Sequence, residues 1–228
     1  VAVDEKGPEV SFAHKYYSQE IISTIDIGSK ISCTKLSPDN KIIAVGDASE
    51  TVFGSETEEF NIHLFNANDY ENILQVNYHK DDVEGISFSP DSKKMVSCDS
   101  DGDIYIWDLL NSKLLVKIET SNWVHNVKFS NSGEEIIAIQ GFKKIANMYD
   151  LKGRLIYQFN VGKQINDFEI NRNTNEIYFG CHDEIQIWSL ISKEIIQKRP
   201  FKGLMCMKFD KNFSKLAIGA RGDIIFMS

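Results

Sequence analysis

The sequence predicts an all-β fold assembled from about five repeated units of four strands. Three observations carry that prediction. Apolar residues alternate with polar ones over short runs rich in Ile and Val, the period of a strand with one buried face. A polar turn recurs at Ser37-Pro38-Asp39, Ser89-Pro90-Asp91, Ser130-Asn131-Ser132, Asn171-Arg172-Asn173 and Asp210-Lys211-Asn212, the last four about 40 residues apart. A large apolar or aromatic residue closes an Ile-rich run at Phe65, Trp107, Tyr149, Trp188 and Met227, again about 40 residues apart. Two independent markers in phase identify an internal repeat.

The best-formed unit shows what each repeat contains. Residues 83–89 make a first strand, Pro90-Asp91-Ser92 a turn, 94–98 a second strand, Asp101-Gly102 a hairpin turn, 103–107 a third strand and 114–119 a fourth. Asp-Gly between two alternating runs is a strong hairpin signal, because Gly accepts the positive φ of the tight turn. Four antiparallel strands in about 40 residues form one blade of a β-propeller.

Residues 79–109 resemble the WD40 repeat, whose units end in a Trp-Asp pair, here Trp107-Asp108. The resemblance implies that His79, Ser97, Asp101 and Trp107 form a structural tetrad, hydrogen-bonded so as to tie the loop before the first strand to the second and third strands. His, Ser, Asp and an indole N–H are able to satisfy one another when buried. The resemblance also implies a non-catalytic scaffold without cofactor or metal. Such a scaffold docks a protein or peptide within a multiprotein complex, on the top face where the loops before each first strand and those joining second to third strands emerge.

Taken in order, 10–17 and 21–27 read as a third and a fourth strand lacking their first two. The unit 31–78 has strands at 31–36, 41–45, 61–65 and 73–77, with a long loop at 46–60 that carries Asp47, Glu50, Glu56, Glu58 and Glu59 and no basic residue. Units follow at 79–119, 120–160, 161–199 and 200–228, all within one propeller domain spanning 1–228. The third has Thr120, Ala138 and Phe142 where polar tetrad members belong, so apolar packing is expected to hold it; the fourth keeps Asp183 and Trp188. The last has three strands. Either the strand at 21–27 completes it and closes a five-bladed ring, which would protect the edges, or the blades belong to a larger ring, seven being usual in that family. The stop at Phe226-Met227-Ser228, where a Trp-Asp pair belongs, favours the larger ring.

Composition restricts the function classes. Hydrophobic residues at 42% and charged residues at 25% suit a folded chain of 228 residues. A net charge of -8, with an isoelectric point near 5.2, argues against nucleic acid as the main ligand, since phosphate backbones need clustered Lys and Arg. Cys33, Cys98, Cys181 and Cys206 are isolated, read as small buried hydrophobes, and fit a reducing compartment. No signal peptide and no apolar run of membrane-spanning length occur, which leads to an expected cytoplasmic location with the nucleus as the other option.

Catalytic patterns are missing. Asp99, Asp101 and Asp103 alternate like a calcium loop, but Ile104 stands where Gly is required. His182 beside Cys181 and Asp183 reads as a turn rather than a nucleophile with its base. There is no Gly-x-Ser-x-Gly elbow, P-loop or His-Glu-x-x-His helix, so no enzyme is expected. The protein-binding candidates are Trp123, Phe142, His182 and Arg221, on loops of one face, together with Glu56, Glu58 and Glu59 of the acidic loop. Two other readings stand beside the scaffold: a regulatory propeller of a trafficking or ciliary assembly, and a Sec12-like guanine-nucleotide exchange factor, whose glycine run the 46–60 loop lacks.

Overall fold

The computed structural model describes residues 23–49 and 60–227. Strands β1 (Lys30–Leu36), β2 (Ile42–Ala48), β3 (Phe60–Asn66) and β4 (Asn72–His79) form the first antiparallel sheet, in sequence order. The second contains β5 (Val83–Phe88), β6 (Lys94–Asp99), β7 (Asp103–Asp108) and β8 (Lys113–Glu119). The third contains β9 (Val124–Phe129), β10 (Glu135–Gln140), β11 (Ile145–Asp150) and β12 (Leu155–Asn160), and the fourth β13 (Ile165–Asn171), β14 (Glu176–Cys181), β15 (Glu184–Ser189) and β16 (Ile195–Pro200). The fifth has three strands, β17 (Leu204–Phe209), β18 (Leu216–Ala220) and β19 (Asp223–Met227). This is a β-propeller of meander blades, its first strands lining a central channel.

The recurring polar turn is the link between first and second strands in every blade, and its chemistry explains its recurrence. Ser89 Oγ donates to Asp91 Oδ1 at 2.6 Å while accepting from the Lys94 amide at 2.9 Å, and Ser37 does the same with Asp39 and the Ile42 amide. Asn171 and Asp210 replace the Ser, accepting from the amides of Asn173 and Ser214. Each turn needs one residue at positive φ, supplied by Asn40, Ser92, Gly133, Asn175 and Phe213.

A second periodic feature is a bulge near the start of each first strand. Register slips by one residue at Ser32, Glu84, His125, Asn166 and Met205, leaving each unpaired with the second strand. A bulge turns its extra side chain away from the ladder. Here the five turned residues sit around the upper end of the channel.

Four apolar clusters hold successive blades together. Ile62, Leu64 and Val76 of the first blade meet Ile86, Phe88, Tyr105 and Trp107 of the second, and Ile104, Ile106 and Ile118 meet Val127, Phe129 and Tyr149 of the third. Met148 and Phe159 meet Phe168, Phe179 and Trp188 of the fourth, and Ile185 and Ile187 meet Leu204, Met207 and Ile218 of the fifth. Among the described residues no such cluster joins the fifth blade to the first. The corresponding residues there are Ile224 and Phe226 of β19, each 68% exposed, and Ile31 and Leu36 of β1, both half exposed.

Two expectations need correction. Residues 23–27 form no strand, so the part of the 21–27 segment that is described does not complete the fifth blade; residues 10–17 lie outside the described residues. Asp26 Oδ1 accepts from the Gly28 amide at 2.9 Å, a local turn that competes with ladder formation. Nor are all four cysteines buried: Cys98 and Cys181 are, whereas Cys33 is partly exposed and Cys206 exposed. Cys206 lies opposite Gly219 on the uncovered face of the last blade, which explains its exposure.

Candidate functional site

The best-formed repeat holds a buried polar network. His79 Nε2 lies 2.9 Å from Ser97 Oγ, Trp107 Nε1 donates to the same Ser97 Oγ at 2.9 Å, and His79 Nδ1 lies 2.9 Å from Asp99 Oδ2. The acid of the tetrad is therefore Asp99, not Asp101, which is exposed at the hairpin tip. Asp99 is the last residue of β6, and its other oxygen accepts from the amides of Gly102 and Asp103 at 3.0 and 2.8 Å, so one carboxylate closes the hairpin and orients the imidazole. Other blades substitute for this network. In the first, His63 Nε2 lies 3.2 Å from Asp47; in the third, Asn147 donates to Tyr149 Oη and accepts from Gln158; in the fourth, Trp188 Nε1 donates to Gln186 on its own strand at 3.1 Å. The third blade is thus held by polar bonds as well as the apolar packing expected of it.

A recess of about 300 Å³ opens on the top face between the third, fourth and fifth blades, lined by Trp123, His125, Gly141, Gln164, Ile165, Asn166 and Met205. Backbone geometry positions its wall. Gly141 N–H donates to the Trp123 carbonyl at 3.0 Å, and a Cβ at Gly141 would stand 2.6 Å from Trp123 Cε3, so only glycine lets the indole lie against that turn. Phe142, in the 3-10 turn Gly141–Lys143, tilts over Trp123 with centroids 5.7 Å apart and is 78% exposed; Met205 across the recess is 60% exposed. The indole N–H is buried without a hydrogen-bond acceptor, although the Glu84 carboxylate is near enough to be stabilised by it.

The bulge residues connect these blades along the channel rim. Ser32 Oγ donates to the Val83 carbonyl at 2.5 Å, Glu84 Oε2 lies 3.7 Å from His125 Nδ1, and Asn166 Nδ2 donates to the Leu204 carbonyl at 2.6 Å. The neighbouring Glu84 carboxylate raises the His125 pKa above its ordinary value against the opposing effect of burial. Burial alone would push Glu84 up, but His125 and the Ser100 hydroxyl, which donates at 2.6 Å, hold it below its ordinary value.

Beside the recess the top of the second blade is acidic, with Asp81, Asp82 and Asp101 on its two upper loops and Asp99 and Asp103 buried at the adjoining ends of β6 and β7. Burial and this concentration of carboxylates push Asp81 up. Lys117 and Lys80 lie 2.8 and 3.9 Å from Asp103.

Of the candidates read from sequence, Trp123 and Phe142 come together at the recess. His182 and Arg221 are exposed on the upper loops of the fourth and fifth blades, each bonded through its backbone to Gly203, and neither lines the recess. Glu56, Glu58 and Glu59 lie outside the described residues. Sequence reasoning missed Glu84, His125, Asn166 and Met205. Their signal is an apolar pair three residues apart, Val83/Ile86, Val124/Val127, Ile165/Phe168 and Leu204/Met207, where strict alternation would have used two, the mark of a bulge.

Comparison with known proteins agrees with this architecture. The family model described as WD domain, G-beta repeat matches residues 71–108, which is β4 of the first blade plus three strands of the second. The repeat therefore straddles two sheets. The chain is 24% identical over 164 residues to cilia- and flagella-associated protein 52 of Sus scrofa, covering 68% of this chain and 26% of that protein. It is 29% identical over 119 residues to small ribosomal subunit protein RACK1y of Oryza sativa subsp. japonica, covering 50% of this chain and 35% of that protein. The chain thus spans only about a quarter to a third of these relatives' lengths. The crystal structure of the Myceliophteria thermophila Cps50 (Swd1) β-propeller domain superposes with a TM-score of 0.76 at 12% identity, over 88% of this chain and 65% of that one. Blade topology, matched repeat and structural neighbour agree that the chain carries a WD domain, G-beta repeat at residues 71–108 within a fold similar to that of WD40 β-propellers.

Proposed function

We propose that this propeller is a non-catalytic scaffold that docks a protein or peptide segment on its top face, with an apolar anchor in the recess between Trp123 and Met205 and basic residues over the acidic top of the second blade. One observation carries the reading: a 300 Å³ recess lies between the indole of Trp123, against which the largely exposed Phe142 packs, and the largely exposed Met205. Exposed aromatic and Met side chains around a concave site are costly in water and are the residues that dominate interface energies. The acidic rim, and a net charge of -8, favour a basic partner segment by steering its approach. A cytoplasmic or nuclear location belongs to the same proposal.

The test is peptide selection from a random display library on the immobilised chain, repeated with Trp123→Ala and Met205→Ser. Enriched peptides should pair an aromatic or long aliphatic residue with Lys or Arg, and each substitution should weaken them by about ten-fold or more. Peptides that bind the variants as well as the unaltered chain would overturn the site. A second reading, membership of a ciliary assembly, is supported by the similarity to cilia- and flagella-associated protein 52. A tagged chain that stays out of the axoneme in ciliated cells would remove it.

A further inference from the structure

Three residues beyond each bulge, the five first strands present Lys35, Ser87, Lys128, Glu169 and Lys208 at one level of the channel. All five line a cavity of about 120 Å³, with Arg172 at its lower edge. Equivalent positions around a propeller share one environment, so three lysines at one level are a concentrated positive charge inside a chain that is acidic overall.

The carboxylates present do not balance it. Lys208 Nζ and Lys128 Nζ both reach the same oxygen of Glu169, at 2.8 and 3.1 Å, and Lys128 lies 3.7 Å from Asp167. Lys128 also donates to the Phe168 carbonyl. Asp167 is otherwise engaged by the amides of Phe168 and Met207 and by Asn126. Lys35 and Arg172 have no carboxylate within ion-pair distance among the described residues, and Lys35 instead lines the same cavity as Lys208, where burial and the charge of Lys208 lower its pKa. Four cations against two carboxylates leave two positive charges around a small cavity whose remaining wall is apolar, from Leu36, Phe88, Phe129 and Ile170. Ammonium groups that share one small cavity repel each other unless an anion lies between them.

We propose that this level of the channel is a binding site for a small doubly charged oxyanion of the phosphate class, held by Lys35, Lys208 and Arg172 with Ser87 as a neutral hydroxyl partner. The site is at the opposite end of the channel from the top-face recess and does not depend on it. Burial and the charges of Lys208 and Lys128, opposed by Glu169, lower Lys35 to a pKa of about 8, so binding should recruit a proton to Lys35 and weaken as pH rises past that value.

The experiment titrates inorganic phosphate into the purified chain, with sodium chloride at matched ionic strength as control, following the 31P resonance and the melting temperature. Saturable binding that chloride does not reproduce, and that falls about ten-fold in Lys35→Gln, is the expected result. Lys208→Gln, at an exposed side chain, serves if Lys35→Gln does not fold, with the same loss expected. No saturable 31P response, an equal effect of chloride, or unchanged phosphate affinity in the folded variant would overturn the proposal.

Discussion

At the scale of single residues, the recess depends on one missing Cβ and one ion pair. Gly141→Ala would drive a methyl into the indole of Trp123 from 2.6 Å, so we expect a loss of about 1–3 kcal/mol in stability and displaced Trp123 fluorescence, read by thermal melts and emission spectra. The Glu84–His125 pair gives a pH signature. His125 is raised in the folded chain, so its contribution is complete below its ordinary value of 6.5 and is lost as pH rises through the higher folded value. Glu84 is lowered, so its contribution is complete above 4.5 and is lost only as pH falls through the depressed value. The destabilisation caused by His125→Gln should therefore be largest between about pH 4.5 and 6.5 and shrink as pH rises through the raised His125 value, as melting curves across neutral and alkaline pH would record. Trp123 and Phe142 were legible as candidates because aromatics at loops are conspicuous. Glu84 and Met205 were not, because a bulge redirects a side chain only once the second strand has paired.

At the scale of the element, the second blade is pinned by a network whose members are all buried. Ser97→Ala leaves both the Trp107 indole N–H and a nitrogen of His79 without their partner, at about 1–3 kcal/mol for each buried group left unsatisfied. Asp99→Ala removes the imidazole partner and the hairpin closure together, whereas Asp101→Ala at the exposed tip should stay within about 0.5 kcal/mol of the unaltered chain. Urea unfolding of the three variants separates the two acids directly. The Asp-Gly hairpin, the Ser-x-Asp turns and the strand alternation were readable in sequence because each is a local rule. Choosing between Asp99 and Asp101 was not, since both stand at the same hairpin and only the register of β6 against β7 decides which carboxylate faces the imidazole.

At the scale of the molecule, the two ends of the blade series and the channel govern behaviour. Ile224 and Phe226 on β19 occupy positions whose counterparts in earlier blades pack on a neighbour. An exposed apolar edge strand pairs readily with another chain. This chain should self-associate with rising concentration, and Ile224→Lys with Phe226→Lys should reduce that association in sedimentation velocity; a concentration-independent monomer would refute it. Lys35 carries a cost that is complete below about pH 8, where it is charged in a folded state that disfavours the charge, and that fades between about 8 and 10.5, where the folded chain has shed the proton and the unfolded chain still holds it. Lys35→Met should therefore raise the melting temperature in phosphate-free buffer at pH 7, with a gain that shrinks as pH rises between those values.

The amino-acid sequence by itself determined the class, the repeat, the positions of turns and strands and the best-formed blade, because these follow from period-two alternation and turn chemistry acting over a few residues. Only the tertiary structure decided that the extra residue in each first strand faces the channel rim, that Lys35, Lys128 and Lys208 share one level, and that Asp99 completes the tetrad. Each of those facts is a relation between blades or between paired strands, separated by about 40 residues or fixed by register, and the free energy that selects them is long-range packing that no local pattern encodes.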